Sequence, residues 1–365
     1  MERVTVIDYI KDQPRALRAV LKNKDEFVNP FVEVFKKYNI KRVIFFGSGT
    51  SYNASIIAAY YFKQILGIDA VGQYPTVFKN YEKADWTDML EKEGILFVGI
   101  SQSGTSRSTI EVMQHVKEEG YITLALTENL RSEIIKYTDN VVHLLCGKEL
   151  TPPETRGYTV TVLTLYLWAV SVAQALGIYR KNQYNRAIED AENLVNNFET
   201  VIKESETWYD CNKVTIVNSD RLYILGYGVD FGSALEGMLK IGEMLRIPTL
   251  GYEIEEYLHG PTMSLNKRQT VFLIGSDEVE FERMLLLRQI FKKYTDRVHV
   301  ITCKEIDNDY RDIVFSVKTN KYLAPIMYTV PFQIVAAKGA KDIGIDTNID
   351  PFEESLAHLP ENQHD

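Results

Sequence analysis

The sequence is poor in cysteine. Among 365 residues there are three, Cys146, Cys211 and Cys303, and they are scattered along the chain. An odd number at irregular spacing excludes a disulfide framework and shows no C-x-x-C metal site. We therefore expect a reducing compartment and cysteines that serve only in buried packing.

Basic residues are outnumbered as well, with 41 Lys and Arg against 50 Asp and Glu, a net charge of −9. Binding to a nucleic-acid backbone requires a clustered excess of positive charge, so we expect no nucleic-acid partner. No apolar run is long enough to cross a bilayer, and residues 1–5 (MERVT) do not resemble the start of a secretory leader. These absences predict a cytoplasmic protein that does not bind membranes.

What the sequence does contain is a series of short apolar runs, most of them ending in glycine or serine, with longer helical patterns between them. The runs are residues 43–46, 95–100, 122–126, 141–145, 222–226, 271–275 and 298–302. Continuous apolar runs without polar alternation are typical of parallel strands that helices cover on both faces. Because the pattern occurs twice, we predict an α/β fold of two doubly wound parallel-sheet subdomains in tandem. The polar stretch 199–212 places the boundary between residues 1–200 and 201–365.

Two loops rich in hydroxyl groups follow strands of the first predicted subdomain. They are residues 47–53 (GSGTSYN) and residues 101–109 (SQSGTSRST), and each lies between a predicted strand and a predicted helix. Hydroxyls and free backbone N–H groups at a helix N-terminus can hold a phosphate, although simple N-capping would use the same residue types. A nucleotide P-loop is disfavoured because no lysine follows the glycine. Two such loops at one edge of a sheet predict a phosphate site with hydroxyls left for a polyol.

A third motif, residues 233–243 (SALEGMLKIGE), places Glu236, Lys240 and Glu243 on one face of a predicted helix. Periodicity alone is equally typical of a solvent-exposed stripe with a Glu–Lys pair. Further along, residues 256–261 (EYLHGP) hold His259, one of six histidines. A glutamate and a histidine at one polyol site would supply a base and an acid for opening a sugar ring.

In this order, these motifs resemble the isomerase half of glucosamine-6-phosphate synthase and its relatives, the fructosamine-6-phosphate deglycases and sugar-phosphate deaminase/isomerases. The resemblance extends to residues 324–331 (APIMYTVP) and covers nearly the whole chain. It implies two flavodoxin-like sugar isomerase (SIS) subdomains. It also implies a homodimer in which the neighbouring subunit lends His259 to the site.

The resemblance further implies a role for individual residues. Phosphate contacts fall to Ser51, Ser101, Gln102, Ser103 and Ser106. Thr50 and Lys240 would lie beside the sugar. Glu243 would move a proton between C1 and C2, and His259 would open the ring. No metal and no cofactor is implied.

Three departures from the synthase pattern bear on the reaction. The glutaminase half has no counterpart, so we expect no use of glutamine. In residues 351–358 (PFEESLAH), His358 stands roughly where the synthase has a lysine that forms a Schiff base with the ketose. In residues 147–156 (GKELTPPETR), Glu154 replaces a serine near the sugar. Arg156 is a candidate ion-pair partner for Glu154, and the alternative is that Glu154 faces a positively charged amine of the substrate.

The interpretation that fits these features is a deglycase that converts a fructosamine 6-phosphate to glucose 6-phosphate and an amine. The substrate's own nitrogen would replace the synthase lysine. Two alternatives stay open: a deaminating isomerase that releases ammonia and a ketose phosphate, and a non-catalytic phosphosugar sensor.

Overall fold

The computed structural model describes residues 3–276 and 279–352. Its N-terminal half consists of one parallel sheet with helices around it. The elements in chain order are α1 (Val6–Lys22), α2 (Lys24–Lys37), β1 (Arg42–Phe46), α3 (Thr50–Tyr61), β2 (Asp69–Gln73), α4 (Pro75–Tyr81), β3 (Ile95–Ile100), α5 (Arg107–Glu118), β4 (Ile122–Thr127), β5 (Asn140–His143) and α6 (Arg156–Ala175).

The C-terminal half repeats this arrangement around a second parallel sheet. Its elements are α7 (Lys181–Asn196), α8 (Phe198–Val217), β6 (Arg221–Gly226), α9 (Val229–Met244), β7 (Thr249–Glu253), β8 (Gln269–Gly275), α10 (Phe281–Phe291), β9 (Val298–Thr302), β10 (Ile313–Val314), α11 (Ala324–Tyr328) and α12 (Val330–Asp342).

The two sheets share one topology. The first has the strand order β2-β1-β3-β4-β5, and the second has the order β7-β6-β8-β9-β10. Every neighbouring pair is parallel; Phe46 of β1, for example, aligns with Gly99 of β3. The strand order reverses direction between the first and third strands of each sheet, where an α/β fold opens a crevice at the carboxyl ends of its strands. The predicted fold class, two doubly wound parallel sheets in tandem, is confirmed.

Helix α6 forms the centre of the first half. By length and composition it is the one helix in the described ranges that could span a membrane, but 89% of its apolar window is buried inside the protein. Trp168 of this helix stacks on Phe31 of α2, with 3.9 Å between the ring centroids. The sequence indicates a helix from about residue 158 to residue 175, and its burial explains the hydropathy as that of a core helix.

The two halves pack through helices that occupy equivalent places in the repeat. Helix α3 follows the first strand of its sheet and contacts α9, which follows the first strand of the other sheet. Their approach is close, because a Cβ on Gly232 would lie 2.4 Å from the Ile57 side chain. Helix α1 contacts α12, where the buried side chains of Gln13 and Gln333 share a hydrogen bond of 2.9 Å.

Several local predictions need correction. Strands β2, β7 and β10 were not predicted, because β2 and β7 hold glycine and polar residues and β10 is only two residues long. The polar stretch 199–212 is not a linker but part of α8, whose Trp208 and Tyr209 are buried. A boundary at residue 200 would fall inside that helix, so the domain limits stay a prediction. Cys146 and Cys303 are buried as expected, whereas Cys211 is exposed.

Candidate active site at the edge of the first sheet

The loop between β3 and α5 is folded into a cradle by its own hydroxyl groups. The buried Ser101 Oγ accepts a hydrogen bond from the Gly104 N–H at 3.1 Å, and Ser103 Oγ accepts one from the Thr105 N–H at 3.2 Å. Gly104 has a φ of +68°, and a Cβ there would lie 1.9 Å from Ser132 Oγ, so only glycine fits. Ser106 precedes the first turn of α5, whose N–H groups are suited to bind an anion.

The loop between β1 and α3 lies beside this cradle. Ser48 Oγ is 3.2 Å from Ser108 Oγ of α5, which joins the two loops. Together with segments after β4 and β5 they enclose a cavity of about 700 Å³. Six residues predicted to bind substrate line it: Ser51, Ser101, Gln102, Ser103, Ser106 and Glu154.

Thr50 does not face this cavity. It is buried at the start of α3, and its hydroxyl donates to Glu236 Oε1 of α9 at 3.1 Å. Asn53, which the sequence analysis did not single out, donates its side-chain N–H to Glu236 Oε2 at 2.8 Å. The polar face of α9 is therefore anchored to the N-terminal half of the chain.

The predicted alignment of Glu236, Lys240 and Glu243 is present, and it is not a solvent-exposed stripe. The side chains of Glu236 and Lys240 are fully buried, and Lys240 Nζ lies 3.6 Å from Glu236 Oε1 and 2.8 Å from Glu243 Oε2. Burial raises the pKa of Glu236, an effect that Lys240 and Asn53 oppose. Burial alone would lower the pKa of Lys240, but the two carboxylates outweigh it and raise that pKa. Lys240 stays charged and holds Glu243, which is about one-third exposed.

Glu154 lies at the floor of the cavity against Gln102. One end of the Gln102 carboxamide is 2.8 Å from each Glu154 oxygen. Burial, and next the negative charge of Glu149, raise the pKa of Glu154 to about 8, while Lys240 lowers it. The neutral acid would donate to the amide oxygen of Gln102, and the carboxylate would accept from its NH₂ group.

Arg156 is not the partner of Glu154, which corrects one of the two predicted alternatives. Arg156 Nη1 donates to Asp12 Oδ2 of α1 at 2.5 Å, and Nη2 donates to the Lys148 carbonyl at 3.0 Å. The guanidinium also lies over the Tyr9 ring, 4.9 Å from its centroid. Within the described ranges no ion pair connects Arg156 to Glu154, and the other alternative, a substrate cation beside this carboxyl, stays a prediction.

Glu149 is a site residue that the sequence analysis overlooked. Its carboxylate accepts from the N–H and hydroxyl of Thr155 at 3.2 and 3.1 Å, and from the Gly157 N–H at 2.7 Å. A carboxylate is favoured at a helix N-terminus. Glu149 stands shortly before the helical pattern of α6, so the sequence already indicated that it could bind the first N–H groups of that helix. Gly157 is equally constrained, since a Cβ there would lie 2.2 Å from Glu154 Oε1.

His259 lies away from these groups within one chain. It follows the turn Glu256–Leu258, is exposed, and lines neither the cavity nor the surroundings of Glu243. Nearby Met263 is 90% exposed. Its contribution from a neighbouring subunit stays a prediction. His358 lies outside the described residues.

This geometry can be compared with known proteins. The sequence profile of the SIS domain family matches residues 38–171 and 215–339, which together make up most of the chain. The chain belongs to the SIS domain family. Each of the two matched ranges contains one parallel sheet. Together the ranges include the loops after β1 and β3, Glu149 and Glu154, and the polar face of α9 with Glu243.

Among individual relatives of this SIS protein, the glutamine–fructose-6-phosphate aminotransferase (isomerizing) of Fusobacterium nucleatum is 28% identical over 351 residues. That alignment covers 94% of this chain but 56% of the aminotransferase, so the chain spans about half the length of the curated relatives it matches.

Two solved structures share the fold over nearly the whole chain. A candidate phosphosugar isomerase of Clostridium difficile is 29% identical, with a TM-score of 0.85 and coverage of 96% of this chain and 97% of that one. The C-terminal domain of the glucosamine-fructose-6-phosphate aminotransferase of Francisella tularensis also has a TM-score of 0.85. It is 20% identical and covers 95% of this chain and 98% of that one.

Proposed function

We propose that this SIS protein is a phosphosugar-processing enzyme that hydrolyses fructosamine 6-phosphates to glucose 6-phosphate and an amine. Family membership and the names of its relatives support the phosphosugar. The observation that carries the deglycase is the charge around Lys240. The carboxyl groups of Glu154, Glu236 and Glu243 act electrostatically on Lys240, that of Glu149 acts on Glu154, and Arg156 is paired with Asp12 of α1 instead.

Such an excess of carboxyl groups suits a substrate that carries a positive charge close to its reacting carbons. The nitrogen on C1 of a fructosamine is a secondary ammonium group at neutral pH, whereas a simple ketose phosphate has no cation. A nearby cation would also favour the ionised form of Glu154, which burial otherwise disfavours. The site therefore matches an amine-bearing sugar phosphate better than a neutral one.

The proposed mechanism assigns one role to each group. The phosphate accepts hydrogen bonds from the hydroxyls of residues 101–106 and from the N–H groups at the start of α5. His259 of a neighbouring subunit assists ring opening. Glu243, held by Lys240 at 2.8 Å, removes a proton from C1 and returns it at C2. The resulting aldimine at C1 adds water and releases the amine, so one fructosamine phosphate and one water give glucose 6-phosphate and the amine.

The test is to incubate the protein separately with a fructosamine 6-phosphate, glucosamine 6-phosphate and fructose 6-phosphate. We expect glucose 6-phosphate, detected through its dehydrogenase, and free amine, detected by mass spectrometry, from the first compound. Ammonia and fructose 6-phosphate formed from glucosamine 6-phosphate alone would identify a deaminating isomerase instead. Binding of all three compounds without turnover would identify a sensor. Cytoplasmic location and a dimer that shares His259 are part of the same proposal.

A further inference from the structure

A second cavity, of about 810 Å³, opens on the other side of the segment that carries Glu154. Pro152 lines both cavities, and Glu243 lies on the wall of the second one. Glu243 therefore borders the second cavity, which adjoins the first at Pro152. A substrate whose phosphate lies in the first cavity and whose C1 lies at Glu243 would direct any group on its nitrogen into the second.

The wall of this second cavity is mainly apolar and uncovered in the described part of the chain. Its apolar residues include Ile247 and Pro248, which follow α9, and Ile349 and Phe352 near the end of the described chain. Ile349 is 57% exposed and Phe352 is 59% exposed. Large apolar side chains that face an open cavity beside reacting groups are typical of a binding surface for an apolar part of a ligand.

Arg246 is the one cation that lines this cavity among the described residues, and it shares the lining with the carboxylates of Glu243 and Asp350. Glu243 is paired with Lys240, and Asp350 accepts from the Phe352 N–H at 3.0 Å. The Arg246 guanidinium donates to the Ile349 carbonyl at 3.0 Å. A guanidinium has five N–H donors, so this one bond leaves donors for an anion.

The backbone of Arg246 gives an independent reason to assign it a role. It has a φ of +59° directly after the end of α9, a position where glycine is the usual residue. Its N–H donates to the Ile241 carbonyl at 3.0 Å, as glycine would also do. A strained arginine at such a position indicates that its side chain is used.

We propose that this cavity is an aglycone subsite for an α-amino acid. Arg246 binds the carboxylate, and the apolar wall binds an aliphatic or aromatic side chain. This inference rests on the proposed function. The two charges of the ligand are each paired with an opposite charge of the cavity. Its ammonium group lies next to the Glu243 carboxylate, and its carboxylate reaches the Arg246 guanidinium. The substrate class is then the fructosamine 6-phosphates of apolar amino acids.

The experiment compares kcat/KM for three conjugates in the full-length protein. They are the fructosamine 6-phosphates of leucine, of 3-methylbutylamine, which lacks only the carboxylate, and of glycine, which lacks the side chain. We expect the leucine conjugate to exceed each of the others by about tenfold or more in the wild type. In Arg246→Gln the ratio of leucine to 3-methylbutylamine conjugate falls to about one. In Phe352→Ala the ratio of leucine to glycine conjugate falls several-fold.

The matched control is Arg268→Gln, which removes the same charge from an exposed arginine paired with Asp220 outside the cavity. Its ratios should equal those of the wild type. Ratios near one in the wild type, as expected if residues beyond Phe352 or no ligand group occupy the cavity, overturn the subsite. An unchanged leucine ratio in Arg246→Gln also overturns it.

Failure of the proposed function is distinguished by calorimetric binding of the same three compounds. If none is hydrolysed but the binding preference still depends on Arg246 and Phe352, the deglycase is wrong and the subsite stands. If all are hydrolysed at equal kcat/KM, the subsite is wrong and the deglycase stands. If none is bound, both are wrong.

Discussion

Replacing Glu154 by glutamine should make the stability of the protein less sensitive to alkaline pH. In the folded chain the pKa of Glu154 is raised from 4.5 to about 8 by burial and by the charge of Glu149. In the unfolded chain the carboxyl returns to its ordinary value. The glutamine side chain has nearly the same shape, stays neutral at every pH, and can still bond to Gln102.

The sign follows from proton linkage. Between pH 4.5 and pH 8 the folded protein keeps a proton on this carboxyl that the unfolded chain has lost. The unfolding free energy therefore has its full value below pH 4.5 and falls as the pH rises toward 8. The full difference corresponds to about 5 kcal/mol. Because Glu154 lines an open cavity, solvent screening reduces this free-energy difference, and we expect a loss of about 2 kcal/mol in unfolding free energy. The variant should therefore match the wild type near pH 5 and exceed it near pH 9.

The assay is urea unfolding followed by circular dichroism from pH 5 to pH 9 for the wild type and Glu154→Gln. Glu91→Gln, a change at an exposed position, controls for the net charge. The informative quantity is the difference in unfolding free energy between variant and wild type as a function of pH. If that difference is the same at every pH, Glu154 does not titrate as a buried acid and the reasoning is refuted.

Three further predictions concern activity. Glu243→Gln should lower kcat by about a hundredfold or more and leave KM within a few-fold, because only proton transfer is lost; near-normal turnover would remove Glu243 from the mechanism. Ser101→Ala and Ser103→Ala should each weaken inhibition by inorganic phosphate by about 1–2 kcal/mol, and equal use of unphosphorylated sugar would contradict the cradle. Gly157→Ala should displace the Glu154 carboxyl and lower kcat/KM about tenfold or more; an unaltered value would show that its position is unimportant.

Sequence patterns predicted the central strands well because each is a continuous apolar run that must be covered on both faces. They failed at edge strands: β2 and β7 hold glycine and polar residues, and β10 is only two residues long. A boundary was placed within α8 because residues 199–212 are mostly polar, although the helix buries Trp208 and Tyr209. In these cases tertiary packing, rather than local preference, decides the element.

The same limit applies to the site. The spacing of Glu236, Lys240 and Glu243 was readable, but their burial depends on contact with α3, which no local pattern shows. Arg156 stands two residues after Glu154, and residues so spaced around a helix start point in different directions. Its carboxylate partner, Asp12, is more than a hundred positions away in the sequence.

The hydrogen bonds from Thr50 and Asn53 to Glu236 set a condition on how this protein can change through evolution. Glu236 is fully buried, so losing either donor would remove a hydrogen bond that solvent cannot replace; Asn53 is the one that bonds Oε2, whereas Oε1 also faces Lys240. The two SIS halves each carry part of this contact. We therefore expect substitutions at these three positions to occur together, which ties the sequence of one half to that of the other.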